Sequence, residues 1–227
     1  HQTKMDVIGN NIANVNTYGY KTQRVTFRDV YYQQLKNPGA GSEDRGGTNP
    51  SQVGYGAQVG SVDTIHTISG WAPTNKPMDV FINGEGYFMV ETSTGEQLLT
   101  RLGAFGIDSA GNLVDVNGSR VMGWNKDEFE VDKDTGKVSV KPTNAGKIEP
   151  ITIVTPDDVE YTNITINPDG TITAIYNYKG TGTPPDEDNT IVYLGLVSVA
   201  NVPNQDALIL EGNSYYRAGN NTVDITY

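Results

Sequence analysis

Turn signals punctuate the middle of this chain at short intervals, and the apolar runs between them are too short for helices. Asn83-Gly-Glu-Gly86 divides Asp79-Val-Phe-Ile82 from Tyr87-Phe-Met-Val90. Asp108-Ser-Ala-Gly-Asn112 and Val116-Asn-Gly-Ser119 repeat that grammar between Leu98 and Trp124, and Pro168-Asp-Gly170 tips a run from Ile164 to Ile175. Gly, Asn and Asp at such places supply turn conformations that most residues resist. From Val59 the period is two: Val59, Ser61, Asp63, Ile65 and Thr67 alternate weakly, as a strand does. The spacing predicts a mainly β, antiparallel fold, with two strands around the Asn83–Gly86 turn. Composition agrees, because 26 Gly and 13 Tyr with 19% charged residues suit strands and turns rather than a helical bundle.

One stretch departs from this grammar. Between Lys4 and Lys21, the residues Met5, Ile8, Ile12 and Val15 are spaced three, four, three. That is the stripe of a helix that lies against another helix. Its flanks are unusual for a solvated helix, since Asn10, Asn11 and Asn14 are polar but uncharged. Gly9 in the interior costs up to about 1 kcal/mol relative to Ala, and a helix this short is marginal alone. Residues 1 to about 16 therefore read as a helix stabilised by neighbours, its amides satisfied by other chains; the competing reading is a frayed terminus. Asn16-Thr-Tyr-Gly19 ends it with turn residues.

Residues 20–35 predict an extended or partly helical connector. A Gly-rich loop then runs from Asn37 to Gly60, long enough to be either disordered or wedged between subunits. The expected organisation has three parts. Residues 1–36 are a short N-terminal helical stem and connector, the assembly core. Residues 37–70 are a Gly-rich connector loop and leading strand. Residues 71–227 are a β-domain with an acidic elaboration at about 125–190, carrying Asp127, Glu128, Glu130, Asp132 and Asp134.

Net charge is −11. Residues 1–36 carry +3, from Lys4, Lys21, Arg24, Arg28 and Lys36 against Asp6 and Asp29, so the remainder carries −14. An acidic body speaks against nucleic acid and anionic membrane as partners. No run approaches the roughly 18 apolar residues of a membrane helix. The absence of cysteine excludes disulfides, thiol catalysis and thiolate metal sites in this chain.

Catalytic and metal motifs are equally sparse. Asp132-Lys-Asp-Thr-Gly136 is the nearest approach to a calcium loop, but it lacks a third ligand before the glycine and the closing Glu. It reads as a solvated turn. His66 falls in a weakly alternating strand and reads as a strand residue rather than a base. Asp206 with Glu211, and Glu85 with Asp79, are carboxylate pairs of the kind any acidic chain offers. Trp71 and Trp124 are the candidates for a sugar-stacking platform, against a plainer reading as core and contact aromatics. No catalytic, cofactor or metal residue is assigned, and no enzyme activity is expected.

The stem also carries a resemblance. Asp6-Val-Ile-Gly-Asn-Asn-Ile-Ala-Asn-Val-Asn-Thr-Tyr-Gly-Tyr-Lys21 resembles the N-terminal signature of bacterial flagellar rod and hook proteins, matching at Asn10, Asn11, Ala13, Asn14, Thr17, Gly19, Tyr20 and Lys21. Asp79-Val-Phe-Ile-Asn-Gly-Glu-Gly-Tyr-Phe88, Thr100-Arg-Leu-Gly-Ala-Phe105, Gly111-Asn-Leu-Val114 and Val121-Met-Gly-Trp124 are similar, in order and spacing, to that family's first β-domain. Arg45 to Gly54 is similar to the connector loop of hook proteins from Gram-positive bacteria. The resemblance implies a β-domain of the hook/rod type on a helical stem. It implies a subunit of the flagellar hook, a bendable tube passing torque from rod to filament, with the distal rod protein as the near alternative. A secreted β-rich binding or hydrolytic domain is the more distant one.

The implied assembly residues are Met5, Ile8, Asn10, Asn11, Ile12, Asn14, Val15, Thr17, Gly19, Tyr20 and Lys21. The implied partners are copies of the chain itself in a helical tube, neighbouring rod, cap and hook–filament junction proteins, and the flagellar type III export apparatus. Location in the flagellum, outside the cell and without a cleaved signal peptide, follows from the same likeness. Family members begin with more helix and end in a long apolar helix, so the resemblance also implies that this chain is a fragment.

Overall fold

The computed structural model describes residues 1–17, 19–67, 73–132, 137–141, 147–181, 185 and 188–219. The chain divides into two compact units, residues 1–17 with 21–67, and residues 18–20 with 68–227.

The first unit opens with α1 (Gln2–Ala13) and continues in strands β1 (Gln23–Asp29), β2 (Tyr32–Lys36), β3 (Ser51–Gly54) and β4 (Ala57–Thr64). β1 pairs antiparallel with β4 from Gln23↔Thr64 to Asp29↔Ala57, with a bulge at Thr26/Phe27. Thr26 sits opposite Ser61 and the two hydroxyls share a hydrogen bond of 2.6 Å. The Gly-rich segment departs from the sequence expectation, because it forms an antiparallel ribbon rather than a loop. β2 pairs with β3 from Tyr32↔Gly54 to Lys36↔Ser51, and bridges at Gly39↔Thr48 and Ser42↔Arg45 continue the pairing toward the tip. Glycine allows that close approach: a Cβ at Gly47 would lie 3.0 Å from the Gly39 carbonyl oxygen.

The second unit carries β5 (Tyr87–Glu91), β6 (Gln97–Thr100), β7 (Phe105–Ile107), β8 (Leu113–Asp115), β9 (Arg120–Asn125), β10 (Phe129–Val131), β11 (Val138–Val140) and β12 (Glu149–Pro150). There follow β13 (Val159–Ile166), β14 (Thr171–Tyr178), β15 (Ile191–Val197), β16 (Val199–Ala200), β17 (Leu208–Gly212) and β18 (Tyr215–Ala218). Among the described residues these form a 12-stranded sheet whose main path runs β13-β14-β15-β9-β5-β6-β18-β17, plus a separate β10–β11 pair. Residues 159–178 extend that sheet directly, so much of the expected elaboration is continuous with the β-domain. The fold is mainly antiparallel β, as the turn spacing predicts, with a short N-terminal helix where the apolar spacing of Met5, Ile8 and Ile12 predicts one.

β5 reads Tyr-Phe-Met-Val as one apolar run because it is buried on both faces. Phe88 and Val90 enter a core with Leu98, Leu113, Val121, Ile151 and Ile172, where Phe88 meets Phe105 edge-on at 5.1 Å. Tyr87 and Met89 point the other way, to Leu99, Met122 and Tyr216. The segment before β5 is not the expected partner strand. Val80 instead donates its N–H to the Gly103 carbonyl at 2.8 Å, and Asp79 bridges Ala104. Gly84 and Gly86, at φ +154° and +118°, turn the chain away from hairpin geometry. The remaining turns follow the sequence grammar. Asp108 accepts from the Ala110 and Asn112 N–H groups at 2.8 Å each, and Asp115 accepts from Asn117 and Ser119 at 2.9 Å each.

Candidate functional site

α1 is a weakly self-supported helix. His1 makes no side-chain cap, no acid sits in the first turn, no base in the last, and none of its residues is buried. Caps and end charges are the usual local supports of a helix. Gly9 faces open space. Its apolar residues are laid bare, with Met5 72%, Ile8 46% and Ile12 67% exposed, and Val15, 75% exposed, sits in the turn just past the helix end rather than in the helix that the spacing predicts to about residue 16. Three apolar side chains at helical spacing in water, with a fourth beside them in the turn, are a surface awaiting cover.

The polar residues of the signature behave differently from the expectation that other chains satisfy them. Asn11 donates through Nδ2 to the Gln23 carbonyl at 2.8 Å and accepts from the Gln23 N–H at 3.0 Å. Its amide thus mimics a peptide group and ties α1 to the start of β1. Asn14 donates to the Asn10 carbonyl and Oδ1, both at 3.0 Å, and Thr17 donates to Asn14 Oδ1 at 3.2 Å. These bonds close the C-terminal end of the helix, where carbonyls otherwise lack partners. Lys21 is buried and donates through Nζ to the Thr67 carbonyl at 2.6 Å.

Gly19 and Tyr20 belong to the β-domain unit. Gly19 has φ +72°, and a Cβ there would rest 3.4 Å from the backbone of Arg101 and Leu102. Burial raises the Tyr20 phenol above its ordinary value. Nearby in that unit the Arg101 guanidinium lies 5.0 Å over the Tyr87 ring, and Tyr87 meets Tyr216 edge-on at 5.5 Å. The structure thus sorts the predicted residues into an exposed stripe of Met5, Ile8, Ile12 and Val15, and a set that makes contacts within its own chain.

A second exposed apolar surface escaped the sequence reading. On the β2–β3 ribbon, Tyr31 63%, Tyr32 56%, Leu35 64%, Val53 46% and Tyr55 60% face solvent. The Tyr31 and Tyr55 rings sit 5.6 Å apart. Assigning residues 20–35 to a connector and 37–60 to a loop hid this surface, because it gave Tyr31, Tyr32 and Tyr55 no common element.

The catalytic and binding alternatives find little support. Trp124 is 6% exposed and packs on Phe129 and Leu196, so it offers no sugar platform. Trp71 and residues 133–136 of the calcium-like loop lie outside the described residues, as does Asp134. His66 sits beyond the end of β4 and is half-buried. Glu211 pairs with Arg217 at 2.5 Å. Among the described residues no cluster of His, Asp and Glu has the makings of a metal site, and no helix is long and apolar enough to cross a membrane. An open groove beside Phe81 and Val199 has Asp79 and Asp169 as the ionisable groups of its described lining, with no nucleophile paired to a base.

Comparison with known proteins gives the class. Residues 1–21 match the family of flagella basal body rod proteins, and residues 81–174 match the flagellar hook protein FlgE/F/G D1 domain. The chain belongs to the flagellar hook and rod protein family. The flagellar hook protein FlgE of Treponema pallidum is 50% identical over 126 residues, 55% of this chain and 27% of that protein. FlgE of Borreliella burgdorferi is 47% identical over 135 residues, 59% of this chain and 30% of that one. The flagellar basal-body rod protein FlgG of Bacillus subtilis is 39% identical over 172 residues, 70% of this chain and 65% of that protein. The chain therefore spans under a third of the length of these hook relatives and just under two thirds of this rod relative.

Proposed function

We propose that the chain is a structural subunit of the bacterial flagellar hook. It polymerises into a flexible tube that transmits torque from rod to filament. The observation that carries this reading is the bare Met5–Ile8–Ile12 stripe on a helix with few supports of its own, continued by exposed Val15 in the turn that follows. A neighbouring helix would cover it, and repetition of such a non-closing contact generates a helical filament. Residues 1–36 act as the assembly core, 37–70 as the connector and 71–227 as the β-domain. Asn10, Asn11, Asn14 and Thr17 serve assembly indirectly, by fixing α1 and its C-terminal end within the first unit, and Gly19, Tyr20 and Lys21 complete the same assembly signature. The partners are copies of the chain, adjoining rod, cap and junction proteins, and the type III export apparatus that carries subunits out of the cell. The role is mechanical, without a catalytic step or a cofactor.

A second reading, the distal rod protein of the basal body, is supported by the 65% coverage of the rod relative. In-frame deletion of the gene separates the two. Complete rods without hooks support the hook reading, and truncated rods support the rod reading. Normal flagella after deletion overturn both.

A further inference from the structure

The chain contains two Asn-Gly dipeptides, Asn83-Gly84 and Asn117-Gly118. The fold treats them in opposite ways. Asn-Gly is the sequence most open to attack of the backbone on its own side chain, because glycine has no side chain to obstruct the approach. The attacking atom is the glycine nitrogen and the target is the asparagine Cγ.

At Asn117 both atoms are held. Nδ2 donates to the Tyr215 hydroxyl at 3.0 Å, the Asn117 N–H donates to Asp115 Oδ1 at 2.9 Å, and the Gly118 N–H donates to the Asp115 carbonyl at 3.1 Å. Tyr215 is itself bonded to Asp115 and Ser119. A nitrogen whose proton is engaged in a turn gives it up less readily, and a side chain pinned by a buried phenol does not swing toward the backbone. At Asn83 nothing comparable exists. Both asparagines are exposed and both glycines border open space, so the hydrogen bonds make the difference: neither the Asn83 side chain nor the Gly84 N–H has one among the described residues, and the bond at this turn goes to the Gly84 carbonyl, which accepts from Arg101 Nη1 at 2.8 Å.

We infer that Asn83 is a site of spontaneous covalent modification, deamidation through a cyclic imide, and that Asn117 is protected by Asp115 and Tyr215. The Gly84 nitrogen loses its proton to hydroxide and forms a bond to Cγ of Asn83. The Cγ–Nδ2 bond breaks and ammonia leaves. Water then opens the imide at one of its two carbonyls, giving aspartate or, with the backbone rerouted through the side chain, isoaspartate. No oxidation or reduction is involved, and water is the sole co-reactant. The product places a new negative charge beside Phe81, which is 44% exposed, and isoaspartate adds a backbone atom just ahead of Gly86.

The test is incubation of the folded chain at mildly alkaline pH, with peptide mapping by mass spectrometry over time and a parallel sample in urea. Each hydrogen bond that must open at Asn117 slows its reaction, so Asn83 should convert at least about tenfold faster in the folded chain. In urea the two sites should converge. Tyr215→Phe should speed Asn117 and leave Asn83 unchanged. Equal rates in the folded chain, no conversion of Asn83, or a difference that persists in urea would each overturn the inference.

Discussion

Asn11 and Gln23 exchange two hydrogen bonds, Asn11 Nδ2 to the Gln23 carbonyl at 2.8 Å and the Gln23 N–H to Asn11 Oδ1 at 3.0 Å. A side chain in the helix thereby completes the edge of a strand twelve residues further on. Asn11→Ala removes both bonds and leaves two backbone groups to water. The expected loss is about 1–3 kcal/mol in the stem unit, read as faster hydrogen exchange at the Gln23 amide and through α1. Unchanged protection at Gln23 would contradict the role given to Asn11. The β-domain has no share in this pair, and its melting temperature should stay where it is.

How far the sequence reached is clear from this pair. The apolar spacing in α1, the turns and the strand at Tyr87–Val90 were legible because each is a local pattern with a local cause. The partner of Asn11 was not, because an amide reads the same whether it meets its own strand or another chain. The β2–β3 ribbon was hidden for a related reason. Its pairing joins residues across glycines that carry no alternation, and Gly39↔Thr48 is a tertiary choice. Val80 seemed a strand neighbour of Phe88 and went to Gly103 instead, since nothing in the sequence announces that close approach.

Two glycines should respond with opposite signs. A Cβ at Gly103 would lie 2.0 Å from the Val80 carbonyl oxygen, a clash with backbone that cannot rotate away. Gly103→Ala should cost more than about 3 kcal/mol, lowering the β-domain melting temperature by roughly 10 °C. Gly9 meets nothing within 4 Å. Gly9→Ala should stabilise α1 by up to about 1 kcal/mol, seen as greater helical circular dichroism. A neutral Gly103→Ala would mean that the 79–82 segment is displaced from its place beside Gly103.

Tyr215 binds the turn between β8 and β9 to β18 through Asp115, Asn117 and Ser119. Tyr215→Phe leaves Asp115, 5% exposed, without that donor. The expected cost is about 1–3 kcal/mol, a fall of several degrees in melting temperature, with Ser119→Ala milder. An unchanged melting temperature would show the network to be idle.

Alkaline pH should unfold the β-domain. Burial raises the phenols of Tyr87, Tyr215 and Tyr216 above the ordinary value of 10.0, with the bond to Asp115 adding to the effect at Tyr215. The native state therefore holds these protons more tightly than the unfolded chain. That contribution is fully present below about 10 and is lost as pH rises through the folded values. Stability measured by urea titration should be flat near neutrality and fall above pH 10, and Tyr216→Phe should flatten the fall. Normal titration of all tyrosines in the folded chain would contradict the burial assigned here.

In the function proposed above, the bare stripe of α1 serves assembly and not the core of the β-domain. The most direct measurement is Ile8→Asp with Ile12→Asp in the full-length gene product, followed by electron microscopy of hooks and by calorimetry of the purified protein. Covering two unpaired carboxylates costs several kcal/mol at the least, on the order of the whole contact. The expected result is cells with absent or truncated hooks, together with a β-domain melting temperature equal to that of the wild type. Hooks of normal length on motile cells, or a β-domain that unfolds, would contradict it.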